Sequence, residues 1–202
     1  MMKLAILATL ACSAAAFAPV QTTGRVSTAV YGDFSKELGA QMPTGYFGGG
    51  FLKNADQDRF DRLRTVELKH GRISMLAVTG YLVTYAGYRF PGCEDIPAGF
   101  GAWPALYATD DGKNVLAQMV LFLAAAEIAN RPAFWDPSVK PEFVGDHRNG
   151  ALDFGWDKFD DATKMKKRAI ELNNGRAAQM GILGLMVHEK LGNVDQLLPP
   201  HF

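Results

Sequence analysis

Two stretches of the chain carry matching polar side chains at the same spacing. Glu67, His70 and Arg72 stand in Arg64-Thr65-Val66-Glu67-Leu68-Lys69-His70-Gly71-Arg72. Glu171, Asn174 and Arg176 stand in Arg168-Ala169-Ile170-Glu171-Leu172-Asn173-Asn174-Gly175-Arg176. Glu, His and Asn are hard oxygen or nitrogen donors, the kind Mg²⁺ favours. A Mg²⁺ already held in a macrocycle needs one axial ligand from the protein, so a charge-neutralised Glu, a His or an amide suffices alone. Such donors need not cluster. At about 100° per helical residue, Glu67 and His70 share a helix face, and Glu171 and Asn174 repeat that spacing. Glu67 and Arg72 lie about 140° apart on the same reckoning, so they are not an ordinary within-helix pair. If the two copies face each other, Glu67 can pair with Arg176 and Glu171 with Arg72. Pairing of that kind lets charges persist in a low-dielectric interior. Gly71 and Gly175, beside the charges, allow the two backbones to approach closely.

Other chemistry is poorly served. Glu67-x-x-His70 has the Glu-x-x-His spacing of di-iron carboxylate bundles, but those need the motif twice, two further glutamates and a fourth helix. Here the second copy has Asn174, a poor iron ligand. No Gly-rich phosphate loop and no nucleophile–base arrangement stands out. A lone His on an apolar helix is usually a satisfied core residue; the repeated context is what singles out His70. His147 and His201 read as loop and terminal residues.

The elements that must position these groups are three long helices, expected near residues 57–88, 113–130 and 163–190. Their cores Ile73–Tyr88, Val115–Ala126 and Ala177–Val187 carry no charge, with Gln118 the polar interruption of the second. None reaches the ~20 apolar residues that span a bilayer unaided. Loops rich in Gly, Pro and aromatic residues, Phe90–Trp103 and Arg131–Trp156, separate them. The repeat makes the first and third helices copies related by a pseudo-two-fold, with Gly80 aligned to Gly184; such repeats place functional residues at their interface in membrane proteins. The stretch Asp157–Arg168 reads as a membrane-surface segment leading into the third helix.

Bulk composition is that of an ordinary single domain of 202 residues, 48% hydrophobic and 21% charged. Twenty-one basic residues balance 21 acidic ones, which gives no support to nucleic-acid binding. Of the two cysteines, Cys12 lies in a leader, and Cys93 alone forms no intrachain disulfide. That leader comprises Lys3, the apolar run Leu4–Ala11 and the small residues Ala14-Ala15-Ala16, a secretory signal over residues 1–16. Residues 17–31, without an acid and rich in Thr and Ser, suit a plastid transit segment. Their junction, Ala14-Ala15-Ala16-Phe17-Ala18-Pro19, resembles the Ala-Ser-Ala-Phe-Ala-Pro cleavage motif of proteins imported into red-lineage secondary plastids. The mature domain is expected over residues 32–202.

The double motif and the order of the three helices resemble the chlorophyll-binding light-harvesting superfamily, over nearly all of residues 33–198. Glu37-Leu38-Gly39-Ala40-Gln41, Phe143-Val144-Gly145-Asp146 and Asp153-Phe154-Gly155-Trp156 are similar to its fucoxanthin chlorophyll a/c group from diatoms. The resemblance implies an all-α membrane protein with three transmembrane helices, the first and third crossed. It implies an antenna that passes excitation to a photosystem and is not an enzyme, with an energy-dissipating member of the same superfamily as the alternative. The implied cofactors are chlorophyll a, chlorophyll c, fucoxanthin and diadinoxanthin. Partners would be the thylakoid bilayer, other antenna subunits in a homo- or hetero-oligomer, and a photosystem core. Carried across by position, Glu67, His70, Glu171 and Asn174 would be axial ligands to chlorophyll Mg, and Arg72 and Arg176 their cross-helix partners. His188 matches a further ligand, four turns along the third helix from Asn174. Gln118 and Glu127 match ligand positions of the middle helix, where nine residues of separation put them on opposite faces to hold different pigments. One loop departs from the family: Tyr46-Phe47-Gly48-Gly49-Gly50-Phe51 replaces the common Phe-Asp-Pro-Leu-Gly, so the carotenoid contact of that loop does not carry over.

Overall fold

A computed structural model describes residues 34–40, 55–130, 141–147 and 155–198, all within the compact unit Tyr31–Phe202. The expected leader, the Tyr46–Phe51 departure and His201 lie outside the described residues. Among those residues every regular element is helical. Helix α1 runs Gln57–Tyr85, α2 Ala102–Ala108, α3 Asp110–Ala129, α4 Asp161–Leu191 and the short α5 Val194–Leu197. Single 3₁₀ turns lie at Phe34–Lys36, Gly99–Gly101 and Trp156–Lys158.

Caps set the ends. The Asp56 carboxylate accepts from Arg59 N at 2.9 Å at the start of α1, and the Thr109 hydroxyl accepts from Gly112 N at 3.1 Å at the start of α3. Each satisfies an amide that has no partner within its helix. Helix α1 stops at Tyr85, short of the expected Tyr88, and Gly87 just beyond has φ +90°. Helix α4 closes on Gly192 at φ +71°, with Asn193 N donating to His188 O at 3.1 Å, a glycine-terminated closure that costs a residue with a Cβ far more. Helix α3 begins three residues before the expected Lys113, because Thr109 supplies the cap. Helix α2 falls partly inside the segment expected to be loop. Its Pro104 sits in the first turn, where a missing N–H breaks no helical bond.

Helices α1 and α4 cross in direct backbone contact. A Cβ on Gly71 would lie 2.9 Å from Gly175 Cα, and one on Gly175 would lie 3.0 Å from Gly71 Cα. Any side chain at either position would push the helices apart. Among the described residues the buried apolar side chains are few: Ala55, Phe60, Tyr81, Leu172 and Leu185. Gly80 and Gly184, by contrast, face open space.

Two loops close one end of the crossing in matching fashion. Gly39 and Gly145 have φ of +73° and +88°. Gly39 O accepts from Arg176 Nη1 at 2.8 Å, and Gly145 O accepts from Arg72 Nη2 at 2.9 Å. A Cβ on Gly39 would run into Leu172 Cδ2, and one on Gly145 into Leu68 Cδ1. Leu68 and Leu172 are themselves equivalent positions of the repeat, so the internal symmetry extends to the loops. At the other end, the Glu189 carboxylate accepts from Phe100 N at 2.8 Å and Gly101 N at 3.1 Å. Tyr85 donates to Asp195 at 2.8 Å. The Glu189 bonds fasten the segment before α2 to the far end of α4, and the Tyr85 bond ties the end of α1 to α5.

Helix α3 stands apart in character. Val120, Leu121, Phe122 and Leu123 are 66%, 71%, 71% and 59% exposed. By length and composition, α3 is the only described helix apolar enough to cross a membrane, with a mean hydropathy of 1.3. Composition alone therefore does not establish the three membrane crossings that the resemblance implies. The physical reason is that α1 and α4 carry the charges of the repeated motif and the turns before it, which depress their averages although their second halves are apolar.

Candidate functional site

The crossing brings the repeated side chains together as reciprocal pairs. Arg176 Nε lies 2.7 Å from Glu67 Oε1, and Arg72 Nε lies 2.6 Å from Glu171 Oε1. Each arginine spends one nitrogen on the opposite helix's carboxylate and another on a loop carbonyl. All four pair-forming side chains keep about a third of their surface exposed, 30–33%. The carboxylates are therefore charge-neutralised yet accessible from one side, which is the state in which an oxygen lone pair can be offered to a metal.

The symmetry is imperfect at one place. Arg64 Nη1 also reaches Glu67, at 3.1 Å from Oε2, and its Nη2 donates to Leu38 O at 2.7 Å. The equivalent Arg168 turns away, its guanidinium 4.2 Å from the centre of the Phe143 ring. Glu67 thus faces two guanidinium groups and Glu171 one. Arg64 was visible in the sequence as an i,i+3 neighbour of Glu67; it lies over the Phe60 ring of its own helix, whereas Arg168 lies over Phe143 of a distant loop. Gly39 and Gly145 carried a weaker signal, since a glycine after two larger residues suits a left-handed turn without naming the arginine it serves.

His70 lies exposed on α1 with Nδ1 2.8 Å from Val66 O. A carbonyl only accepts, so Nδ1 carries the proton and Nε2 presents its lone pair outward, the tautomer a metal ligand requires. Asn174 is exposed at the equivalent place on α4. His188 is half-buried near the end of α4, its Nδ1 2.9 Å from Asn193 Oδ1, which again leaves Nε2 outward. On α3, Gln118 is exposed. Glu127 is not alone: Lys69 Nζ of α1 lies 2.8 Å from its Oε2. Lys69 escaped sequence reading because 58 residues separate the partners.

These donors are spread singly along the helices. Among the described residues no three His, Cys, Asp or Glu side chains converge on a shared metal position. Neutralised carboxylates at a glycine crossing and isolated donors on exposed apolar helices offer single, scattered ligand positions in place of one shared site. The family model for chlorophyll A-B binding proteins matches residues 34–190, and the chain belongs to that family. It is 53% identical to fucoxanthin-chlorophyll a-c binding protein D, chloroplastic, of Phaeodactylum tricornutum, over 95% of this chain and 97% of the relative. It is 54% identical to a fucoxanthin-chlorophyll a-c binding protein of Trieres chinensis, over 95% and 96%. With fucoxanthin-chlorophyll a-c binding protein B of Macrocystis pyrifera the identity is 42%, over 95% and 93%.

Proposed function

We propose that the protein is a light-harvesting antenna of the plastid that binds chlorophyll a, chlorophyll c and fucoxanthin, with diadinoxanthin as a further carotenoid, and passes excitation to a photosystem. The family and the named relatives are pigment-binding proteins, not enzymes. The observation that carries the reading is the pair of neutralised carboxylates at the α1/α4 crossing, set among apolar side chains that no other part of the described protein covers. Glu67, His70, Glu171 and Asn174 would be axial ligands to chlorophyll Mg, with His188, Gln118 and Glu127 holding further pigments. The donor chemistry fits: two neutralised carboxylates, two histidines with outward Nε2 atoms, and exposed amides. Bound pigments supply the light absorption and energy transfer; bonds in the protein do not change. The residues hold each macrocycle at a fixed place, and the crossed helices keep those places at fixed separations.

In this reading α1, α3 and α4 all cross the thylakoid membrane. Support comes from the neutralisation of the motif charges by cross-helix pairing, which makes helices of modest average hydropathy tolerable in a bilayer. Residues 1–16 and 17–31 would direct import as signal and transit segments and be removed. Other antenna subunits and a photosystem core would be its partners.

The test is to refold the chain from about Tyr31 in detergent with a total pigment extract from a diatom and record fluorescence excitation spectra. Carotenoid and chlorophyll c absorption should emerge as chlorophyll a fluorescence. Bound pigment with strongly quenched emission would instead mark an energy-dissipating protein, and failure to take up pigment would sink both.

A further inference from the structure

We propose that Asn193 is the positioning residue of the His188 site: its side-chain carbonyl holds the ring in the tautomer and direction that present Nε2 to a chlorophyll Mg. The inference rests on the antenna reading above. Helix α4 closes with Gly192 N donating to Glu189 O and Asn193 N to His188 O, each at 3.1 Å. In such a closure the residue after the glycine stands beside the residue five back, and the two side chains usually meet as an apolar contact. Here the contact is polar: His188 Nδ1 lies 2.9 Å from Asn193 Oδ1. Both residues are half-buried.

Asn193 also gives up its ordinary local role. It stands directly before α5, where an Asn side chain commonly accepts from an amide of the first turn, yet it makes no such bond. A side chain that neither seals α4 with an apolar contact nor caps α5 is, among the described residues, committed to the histidine. His188 differs from His70 in turn. The His70 ring bonds to Val66 O, a carbonyl one turn back that any helix supplies. His188 turns instead to a side chain beyond the end of its helix, so a single substitution can remove its partner. The partner of a ligand's second ring nitrogen fixes its tautomer and direction and raises its basicity.

The competing explanation is that Asn193 merely seals the end of α4. Asn193→Leu separates the two, because an apolar side chain makes the usual contact of this closure and the backbone bond to His188 O stays. At φ −126° the position accommodates any residue without strain. The mature chain and four variants, Asn193→Leu, Asn193→Asp, His188→Ala and the double variant Asn193→Leu/His188→Ala, would be refolded with total pigment extract. The readouts are chlorophyll per polypeptide, by extraction and chromatography, the absorption difference spectrum and far-ultraviolet circular dichroism. Asn193→Leu should lose one chlorophyll per chain with helix content unchanged, and its difference spectrum should coincide with that of His188→Ala. Asn193→Asp should retain the pigment, since a carboxylate oxygen accepts the same hydrogen bond. The double variant should be no more deficient than His188→Ala. A full complement in Asn193→Leu, a lost band unlike that of His188→Ala, or an Asn193→Asp variant as deficient as Asn193→Leu overturns the inference. So does a second chlorophyll lost in the double variant. If the unmodified chain takes up no pigment, the antenna reading itself fails, and this inference with it.

Discussion

The two glutamates of the repeat differ in how much support surrounds them, and this ranks the substitutions. Among the described residues, removing Arg72 leaves Glu171 with no cation in contact, whereas removing Arg176 leaves Glu67 with Arg64 at 3.1 Å. Stranding a fully buried charge costs about 3–5 kcal/mol, and the third of Glu171 that stays exposed reduces that figure. Arg72→Leu should therefore lower the thermal midpoint of the pigmented complex in detergent more than Arg176→Leu does. Equal losses would mean that Arg64 contributes nothing to Glu67. His70→Ala should be milder than either. Among the described residues its ring bonds only to the carbonyl of Val66 in its own helix, so one chlorophyll per chain should go while far-ultraviolet circular dichroism stays unchanged. Much of this scale was legible from letters alone, because Glu and Arg recur five apart in both copies beside a glycine. What could not be read was the second guanidinium on Glu67 and the ammonium on Glu127. Both depend on where distant segments come to lie.

At the scale of elements, the crossing and its two loops form one unit. Gly71→Val would drive side-chain atoms into the backbone of Gly175, which cannot yield as a flexible side chain would. Overpacking of that kind costs about 1–3 kcal/mol, and here it also pulls both ion pairs out of register. The variant should melt earlier and lose pigment at the Glu67 and Glu171 sites together. Gly145→Ala tests the loops separately. At φ +88°, with Leu68 in the way, the added methyl strains the backbone by about 1–3 kcal/mol. It should disturb Arg72 and the Glu171 site while sparing Glu67. A matched loss at both sites would contradict the assignment of one loop to each arginine. The helices themselves were visible in the sequence, but not where they stop. Hydrophobic pattern places a helix within a few residues, and the ends fall where Thr109 caps α3 and where Gly87 and Gly192 turn left-handed. Helix α2 was not expected: seven residues are too few for a hydrophobic pattern to show, and Pro104 in its first turn breaks no helical bond.

For the whole molecule, the issue is what covers the apolar surface. Leu76 is 75% exposed, Phe122 71% and Met180 68%, one on each long helix. A water-soluble protein rarely leaves such residues bare in contiguous stretches. After reconstitution of the pigmented protein into lipid vesicles, protease should leave three protected fragments, containing Ile73–Tyr85, Asn114–Ala129 and Ala177–Val187. Protection of the middle fragment alone would refute three crossings. Average hydropathy could not decide this, because it counts Glu67, Arg72, Glu171 and Arg176 as four charges, while the folded structure presents them as two neutral pairs.

Among the described residues helix α3 has one ion pair to α1, between Lys69 and Glu127, its start packs on α2 at Gly112, and the stretch Val120–Leu123 is bare apolar surface. The crossed pair has its glycine contact and reciprocal ion pairs to hold it; the seating of α3 has far less to draw on. Biogenesis is then a matter of timing. The newly inserted chain would wait with its middle segment loosely seated until pigments arrive, and a cell short of pigment would hold a population of half-built chains recognisable to quality-control proteases. Abundance of the protein would in that case be set by pigment supply after translation, with no dedicated sensor required.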